Sequence, residues 1–319
     1  MTELHYHEQV LHSLEGESVL DCLLRHEIDY PHACRSGVCQ ACLIKTSESP
    51  IDSQWQQGLP DTLKSQGYFL ACQAKPANKI HLKDPDAAEC EQQALITELS
   101  PLTHNVIRVK LLAEHLESWI PGQYLNLINP DGISRSYSIA NIPAKEGYIE
   151  LHIKLQENGA MSGWLRKTAV VDMAIHIRGP FGKCYYMNPE KSSFDMLLAG
   201  TGTGLAPLLA IAKTALSEKH QGKISLIHGG CQDSDIYYAE ELQTLELFYE
   251  NFKYIPCVLK SSGLYPEADI FDKTLSCLSP DINNMQIYVC GPKETVNKLK
   301  TKVFLAGIPS AKIFSDPFF

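Results

Sequence analysis

Three cysteines fall within nine residues of the stretch PHACRSGVCQAC, which runs from Pro31 to Cys42. Cys34, Cys39 and Cys42 make C-x4-C-x2-C, and Cys72 follows after 29 intervening residues in YFLACQAKP. That is the ligand spacing of a 2Fe-2S cluster, in which four thiolates hold two irons bridged by two sulfides. With both irons ferric, the cluster and its thiolates together carry about −2. Backbone N–H groups must therefore turn inward, and Ser36-Gly37 supplies a small residue and a residue free to adopt positive φ. Zinc is the competing occupant. It prefers paired C-x2-C knuckles or histidine partners, whereas this chain has a single C-x2-C, and His32 lies outside the frame.

Eleven cysteines in 319 residues would suit a disulfide framework in an exported protein. The N-terminal run MTELHYHEQV is polar and lacks the apolar segment of a signal peptide, so a soluble, cytoplasmic chain using its thiols for metal or catalysis is expected. The cysteines outside the quartet read as structural by default; Cys22, in LDCLLRHEI, sits on the apolar face of a predicted helix. The net charge of −9, with no basic tract, argues against nucleic acid or an anionic membrane as partner. The longest uncharged run, Met196 to Ala212, is broken by three glycines and a proline, so it reads as strand, loop and helix rather than a membrane span.

The length suits two or three domains. The segment KDPDAAECEQQ (83–93) is polar and aperiodic and reads as a linker. Beyond it, ALITELSPLTHNVIRVKLL, YLNLI, SYSIA, YIELHIKL and MAIHIRG alternate apolar and polar residues between turn signals, the pattern of an antiparallel β-barrel. From Phe194, strands alternate with helices, which predicts an α/β parallel sheet. The expected domains are 1–86, 92–189 and 192–319.

Within the β segment, Arg135-Ser136-Tyr137-Ser138 offers a cation for a pyrophosphate, an aromatic face for a ring and a hydroxyl for a flavin N5. Strand alternation sets Arg135 and Tyr137 on one side and Ser138 on the other. Downstream, His152-Ile153-Lys154 ends a strand. Gly159-Ala160-Met161-Ser162 then opens a helix, with Ser162 read as its cap and the first N–H groups as an anion site. Gly200-Thr201-Gly202-Thr203-Gly204 follows a strand and runs through Leu205 and Ala206 to Pro207; it departs from G-x-G-x-x-G but still allows a dinucleotide to approach backbone at a helix start. Cys290-Gly291-Pro292 sits at the carboxyl end of another predicted strand.

Residues 1–85, through CRSGVCQACL and YFLACQ, resemble a plant-type ferredoxin domain of the oxygenase-reductase kind. Gln40 departs from the glycine usual between the second and third ligands. Downstream, P-G-Q-Y (121–124), R-S-Y-S, G-A-M-S, G-P-F-G (179–182), the glycine loop and C-G-P resemble the ferredoxin-NADP reductase superfamily, in its order. The resemblance covers essentially the whole chain. It implies an α+β β-grasp module holding a 2Fe-2S cluster on Cys34, Cys39, Cys42 and Cys72, then an antiparallel β-barrel for FAD, then an α/β NAD-binding domain. It assigns Arg135 to Ser138, His152 to Lys154, Gly159, Met161 and Ser162 to FAD. Gly202, Thr203, Gly204, Pro207, Cys290, Gly291 and Pro292 go to the nicotinamide dinucleotide, with Cys290 beside the nicotinamide ring.

In IFSDPFF, the same resemblance puts Asp316 at the flavin and the ring of Phe318 over its face, with Phe319 the alternative. That ring must move aside before hydride transfer. After ISLIHGG the chain has Cys231-Gln232-Asp233, an anion and no cation, which favours NADH over NADPH. The implied reaction passes a hydride from NADH to FAD, with Ser138 and Cys290 as positioning groups, and single electrons through the cluster to a partner. That partner would be a Rieske or di-iron oxygenase or a deoxysugar dehydratase. It would dock on the N-terminal module, where residues 1–88 carry seven Lys and Arg against twelve Asp and Glu. The rival functions are a stand-alone flavin reductase or diaphorase, and a zinc-stapled interaction module without redox chemistry.

Overall fold

The computed structural model describes residues 2–32, 34–86, 90–188 and 193–318. It divides into two compact units: Met1–Gln93 with Asn126–Ser136 and Ile175–Arg178, and Ala94–Leu125 with Tyr137–Ala174 and Gly179 onward. Short stretches of barrel strand belong to the first unit together with the cysteine module.

In the first unit, β1 (Thr2–Tyr6) and β2 (Gln9–Ser13) form a hairpin in the register Leu4↔Leu11. The sequence alternates so that Leu4, Tyr6 and Leu11 turn inward. Helix α1 (Val19–Arg25) starts at Ser18, whose Oγ accepts the N–H of Asp21 at 3.1 Å. It buries Val19, Leu20, Cys22 and Leu23, so Cys22 is core as expected. Strand β3 (Leu43–Lys45) leaves the cysteine loop and pairs antiparallel with β4 (Tyr68–Leu70), which leads into Cys72; helix α2 (Asp61–Ser65) lies between them. Strand β5 (Ile80–Leu82) returns parallel to β1.

The six strands β6 (Gln92–Pro101), β7 (Val106–Ala113), β8 (Tyr124–Ile128), β9 (Ser134–Ser138), β10 (Ile149–Lys154) and β11 (Ala174–Phe181) form one sheet in the order β10-β7-β6-β11-β8-β9. A bridge between Ile139 and Leu151 joins its two ends into a barrel, which leaves no open edge. Helix α3 (Pro143–Glu146) precedes β10, and α4 (Ala160–Lys167) follows it.

Strands β12 (Asp195–Thr201), β13 (Ile224–Gln232), β14 (Phe252–Lys260), β15 (Met285–Pro292) and β16 (Ile313–Phe318) are all parallel, in the order β14-β13-β12-β15-β16. Both faces are covered, so the strands are apolar throughout. Met196, Leu198, Tyr288 and Cys290 pack with helix α5 (Leu205–Ser217) and with Leu242 of α6 (Ala239–Phe248). Leu197, Ala199, Ile287 and Val289 pack with α7 (Ile270–Ser276) and α8 (Lys293–Leu305). The strand order reverses between β12 and β15, and the carboxyl ends at such a switch point are where open α/β sheets bind ligands.

The C-terminal run is more than a docked aromatic end. Its residues extend the sheet as β16, with Asp316 opposite Cys290 and Phe318 opposite Pro292. Pro317 argues against a strand in sequence, but an edge strand tolerates it. Phe319 lies outside the described residues, as do Ala87, Ala88 and Glu89 of the expected linker. Among the described residues no helix is long and apolar enough to cross a membrane.

Candidate functional site

The four cysteines of the quartet meet as two pairs. In the first, the N–H of Cys34 reaches Cys39 Sγ at 3.4 Å, and the N–H of Cys39 reaches Cys34 Sγ at 3.3 Å. In the second, a hydrogen bond between the Cys42 and Cys72 thiols pulls Cys72 down to about 7 and pushes Cys42 up. Cys34 is held at about 4, chiefly by the hydrogen bond from the Cys39 thiol. Thiolate is the form that ligates iron. Further donors point at sulfur: the N–H of Ser36 at 3.3 Å from Cys34 Sγ, and Gln73 Nε2 at 3.3 Å from Cys72 Sγ. Two thiol pairs ringed by N–H donors match two irons taking two thiolates each.

Gly37 has φ +78, and a Cβ there would lie 3.0 Å from Gln73 Cγ, so it needs both the left-handed freedom and the missing side chain. Gln40 is also left-handed, at φ 55, and its buried side chain donates to Gly58 O at 2.9 Å.

One buried side chain ties the cysteine loop to strand β9. Asn126, on β8, donates from Nδ2 to Cys39 O at 3.3 Å and accepts the Ser136 hydroxyl on Oδ1 at 2.7 Å. Ser136 belongs to the R-S-Y-S run, so a chain of two hydrogen bonds leads from that run to the ligand loop. Neither spacing nor composition marks Asn126 in the sequence.

Along β9, Arg135 and Tyr137 are half-buried, and Ser138 is buried. The Arg135 guanidinium donates to Ser134 O at 2.8 Å. Ser134 Oγ and Gln123 Oε1, the latter in P-G-Q-Y, are buried polar atoms with no protein partner among the described residues. Each is an atom that a polar ligand can satisfy, and each residue, taken by itself, suits FAD in that respect. The expected HIK contacts divide. Lys154 is exposed and Ile153 is core, while the His152 ring is buried, with Nε2 on Glu150 at 2.9 Å and Nδ1 on Tyr237 at 3.2 Å. Both ring nitrogens of His152 therefore have protein partners. The helix cap expected at Ser162 lies elsewhere. The N-cap of α4 is Gly159, and buried Ser162 Oγ accepts the Gln156 N–H at 2.9 Å instead, because it lies in the third helical position. Met161 is buried beside it.

At the switch point the glycines divide their work. A Cβ on Gly204 would lie 2.2 Å from Cys290 O, and one on Gly200 2.8 Å from it, so these two let the loop pack on β15. Gly202, at φ +54, faces open space and is the glycine with room for a ligand. Thr203 is half-buried next to it, and Pro207 is buried in the first turn of α5. Gly291, at φ +134, sits against Thr201, and the half-exposed ring of Phe318 is paired in register with Pro292.

Cys290 is fully buried with its Sγ 3.7 Å from Cys184 Sγ, and burial pushes its thiol far above the ordinary range. It is a neutral thiol at physiological pH. Asp316 accepts the Ser138 hydroxyl at 2.7 Å, and removal from water pushes its carboxyl up to about 6. This places Ser138 and Asp316, 178 residues apart, in direct contact.

A partly buried polar network is marked by no motif in the sequence. Arg108 on β7 bonds Glu98 at 2.5 Å and the Tyr238 hydroxyl at 3.2 Å; Tyr238 donates to Glu150 at 2.5 Å, and Glu150 bonds His152. Burial pushes the Glu150 carboxyl up, but the His152 and Tyr238 hydrogen bonds outweigh it and hold it low. Tyr237 continues the network to Gly202 O at 3.4 Å. Barrel strands are thus fastened to the glycine loop. The i, i+2 pair Glu150 and His152 was the available sequence signal. After β13, Asp235 Oδ2 accepts the N–H groups of Cys231 and Gln232, and Asp233 Oδ2 accepts the N–H of Ser262 at 2.7 Å. Strand pairing also sets Lys260 beside Gln232, a neighbouring cation that the linear sequence does not reveal.

With this geometry in view, comparison with known proteins gives three domain matches. They are a 2Fe-2S iron-sulfur cluster binding domain over residues 5–77, an oxidoreductase FAD-binding domain over 93–186 and an oxidoreductase NAD-binding domain over 197–300. The aromatic O-demethylase reductase subunit of Amycolatopsis sp. (strain ATCC 39116 / 75iv2) is 31% identical over 256 residues, 76% of this chain and 75% of that one. The toluate 1,2-dioxygenase electron transfer component of Pseudomonas putida is 29% identical over 95% of this chain and 93% of its own. A ferredoxin reductase of carbazole 1,9a-dioxygenase shares the fold, with TM-score 0.67, 23% identity and coverage of 100% and 98%. The chain belongs to the ferredoxin-NADP reductase superfamily, in its oxygenase-reductase branch with an N-terminal 2Fe-2S domain. It is an iron-sulfur flavoprotein oxidoreductase using a 2Fe-2S cluster, FAD and a nicotinamide dinucleotide.

Proposed function

We propose that the chain is the NADH-dependent reductase of an oxygenase system, drawing a hydride from NADH at the β12/β15 switch point and passing single electrons to a partner metalloprotein from the 2Fe-2S cluster that Cys34, Cys39, Cys42 and Cys72 would hold. When bound, FAD supplies the conversion between two-electron and one-electron chemistry. The chain's own residues hold and orient. Arg135 and Tyr137 present a cation and a ring on one side of β9. Ser138 and Asp316 fix a hydroxyl and a carboxyl beside the β15 end, where Cys290 stays a neutral thiol. Phe318, on the edge strand, is the ring that gives way to nicotinamide. The observation that supports the reading is the Ser136–Asn126–Cys39 hydrogen-bond chain, which ties the R-S-Y-S run to the cysteine loop.

The Cys39→Ser variant tests the proposed order, flavin then cluster. Cytochrome c reduction collapses while ferricyanide reduction persists; equal loss of both contradicts it. A stand-alone diaphorase would keep cytochrome c reduction in that variant, and a zinc module would be colourless and unresponsive to NADH. NADH preference rests on Asp233 and Asp235, whose carboxylates at the end of β13 repel a 2′-phosphate. Lys260 is the opposing charge, so equal kcat/KM for NADH and NADPH would refute the preference. The acidic N-terminal module is the proposed docking face for an oxygenase. High salt then slows electron delivery to the partner and leaves NADH oxidation by ferricyanide unchanged.

A further inference from the structure

Gln40 stands between two cluster ligands, and its conformation is costly on two counts. Its backbone is left-handed, at φ 55, where a residue with a Cβ is strained. Its side chain is buried, with Oε1 lacking any partner among the described residues. Such strain persists where the surrounding structure holds it in place. What holds this residue is the bond from Nε2 to Gly58 O, which reaches across to the Asp52–Gly58 turn.

That turn is fastened at its other side by the sheet. Trp55 O accepts the Leu70 N–H at 2.9 Å, and Gln56 Nε2 donates to Tyr68 O at 2.8 Å. Its outer residues Ser53, Gln54 and Gln57 line one cleft together with Gln73, the residue whose amide donates to Cys72 Sγ. The turn therefore flanks the thiols, and its Gly58 end is tied to the ligand loop by the Gln40 amide.

We propose that Gln40 is a clamp that keeps the Asp52–Gly58 turn closed over the ligand loop, restricting water and small reagents at the cluster. The inference rests on the cluster ligation assigned above. Excluding water disfavours the more negative, reduced cluster, so the clamp also lowers its reduction potential.

The test uses the full-length holoprotein and two variants. Gln40→Gly suits positive φ and removes the side chain; Gln40→Asn also tolerates that backbone and keeps an amide too short to reach Gly58. Loss of cluster absorbance to an iron chelator, and hydrogen exchange at amides 53–58, should each quicken about tenfold in both variants, as expected for one lost hydrogen bond. The midpoint potential rises, and the melting temperature does not fall in Gln40→Gly. Exchange at 53–58 can also be followed on the cluster-free chain, so it remains readable should a variant load poorly. Unchanged exchange in both variants overturns the clamp, as does faster loss in Gln40→Gly with wild-type behaviour in Gln40→Asn. Wild-type protein lacking cluster absorbance altogether would instead overturn the ligation.

Discussion

In the cysteine module, three of the four ligand thiols come from nine consecutive residues, Cys34 to Cys42, and the fourth sits one strand away at Cys72. The proposed nucleotide end of the second unit gathers Ser138, the 200–204 loop, Cys290 to Pro292 and Asp316 to Phe318. The first arrangement is written in local spacing, because one loop must wrap one compact anion. The second exists only once parallel strands have been ordered, because the switch point is a property of the sheet. A site of the first kind can be read from sequence as geometry; a site of the second kind is read as fragments.

Glycine substitutions expose this difference most directly. Gly204→Ala drives a Cβ to 2.2 Å from the backbone oxygen of Cys290, an atom that cannot swing aside. The expected cost is about 3 kcal/mol, the upper end for overpacking, seen as a lowered denaturant midpoint. Gly37→Ala meets only the flexible Gln73 side chain, at 3.0 Å, but forces an alanine to φ +78. About 1–2 kcal/mol is expected there, together with a fall in cluster iron content. Equal destabilisation by the two would erase the distinction between assembled and local sites.

The second-unit site depends further on groups with no motif. Glu150→Ala leaves the buried His152 Nε2 and the Tyr238 hydroxyl without their acceptor. Stability should fall by about 2–3 kcal/mol, and affinity for NADH should weaken as the Tyr237 contact to Gly202 loosens. A variant with unaltered melting would show that the network does not fasten the glycine loop.

What the sequence made legible follows the same division. The quartet, the alternating strands of the barrel and the β/α alternation after Phe194 carry local signals, and each appears in the fold as an element of the expected type. Asn126, Arg108 and Tyr238 carry none, since a polar residue that bonds across the fold looks like any other polar residue until its partner is known. The cap expected at Ser162 falls on Gly159 instead, because motif position does not say which way a side chain turns. Strand β16 was hidden by Pro317, a residue that an edge strand accepts.

Asn126, which belongs to no motif, bridges two motif residues within the first unit. Asn126→Ala removes both its bonds, to Cys39 O and from Ser136, at a cost of about 1–2 kcal/mol. Reduction of cytochrome c should slow while NADH-driven ferricyanide reduction holds. Parallel loss of both activities would reduce Asn126 to a packing residue.

The smallest effect expected is one of pH, and its sign follows from Asp316. In the folded chain this carboxyl titrates at about 6, above its ordinary value of 3.8, because it is shielded from water. Between those values the folded state keeps a proton that the unfolded chain has released. Its contribution to stability is therefore full below pH 3.8 and is lost as pH rises through 6. The Ser138 hydroxyl opposes that loss, since it donates to the ionised carboxylate. Ser138→Ala should match the wild type at pH 4 and be less stable by about 1 kcal/mol at pH 8, with the Asp316 titration moved upward. Melting curves across that range decide it. Coincident profiles would mean that the serine does not support the carboxylate, and that the contact joining barrel to β16 carries no electrostatic weight.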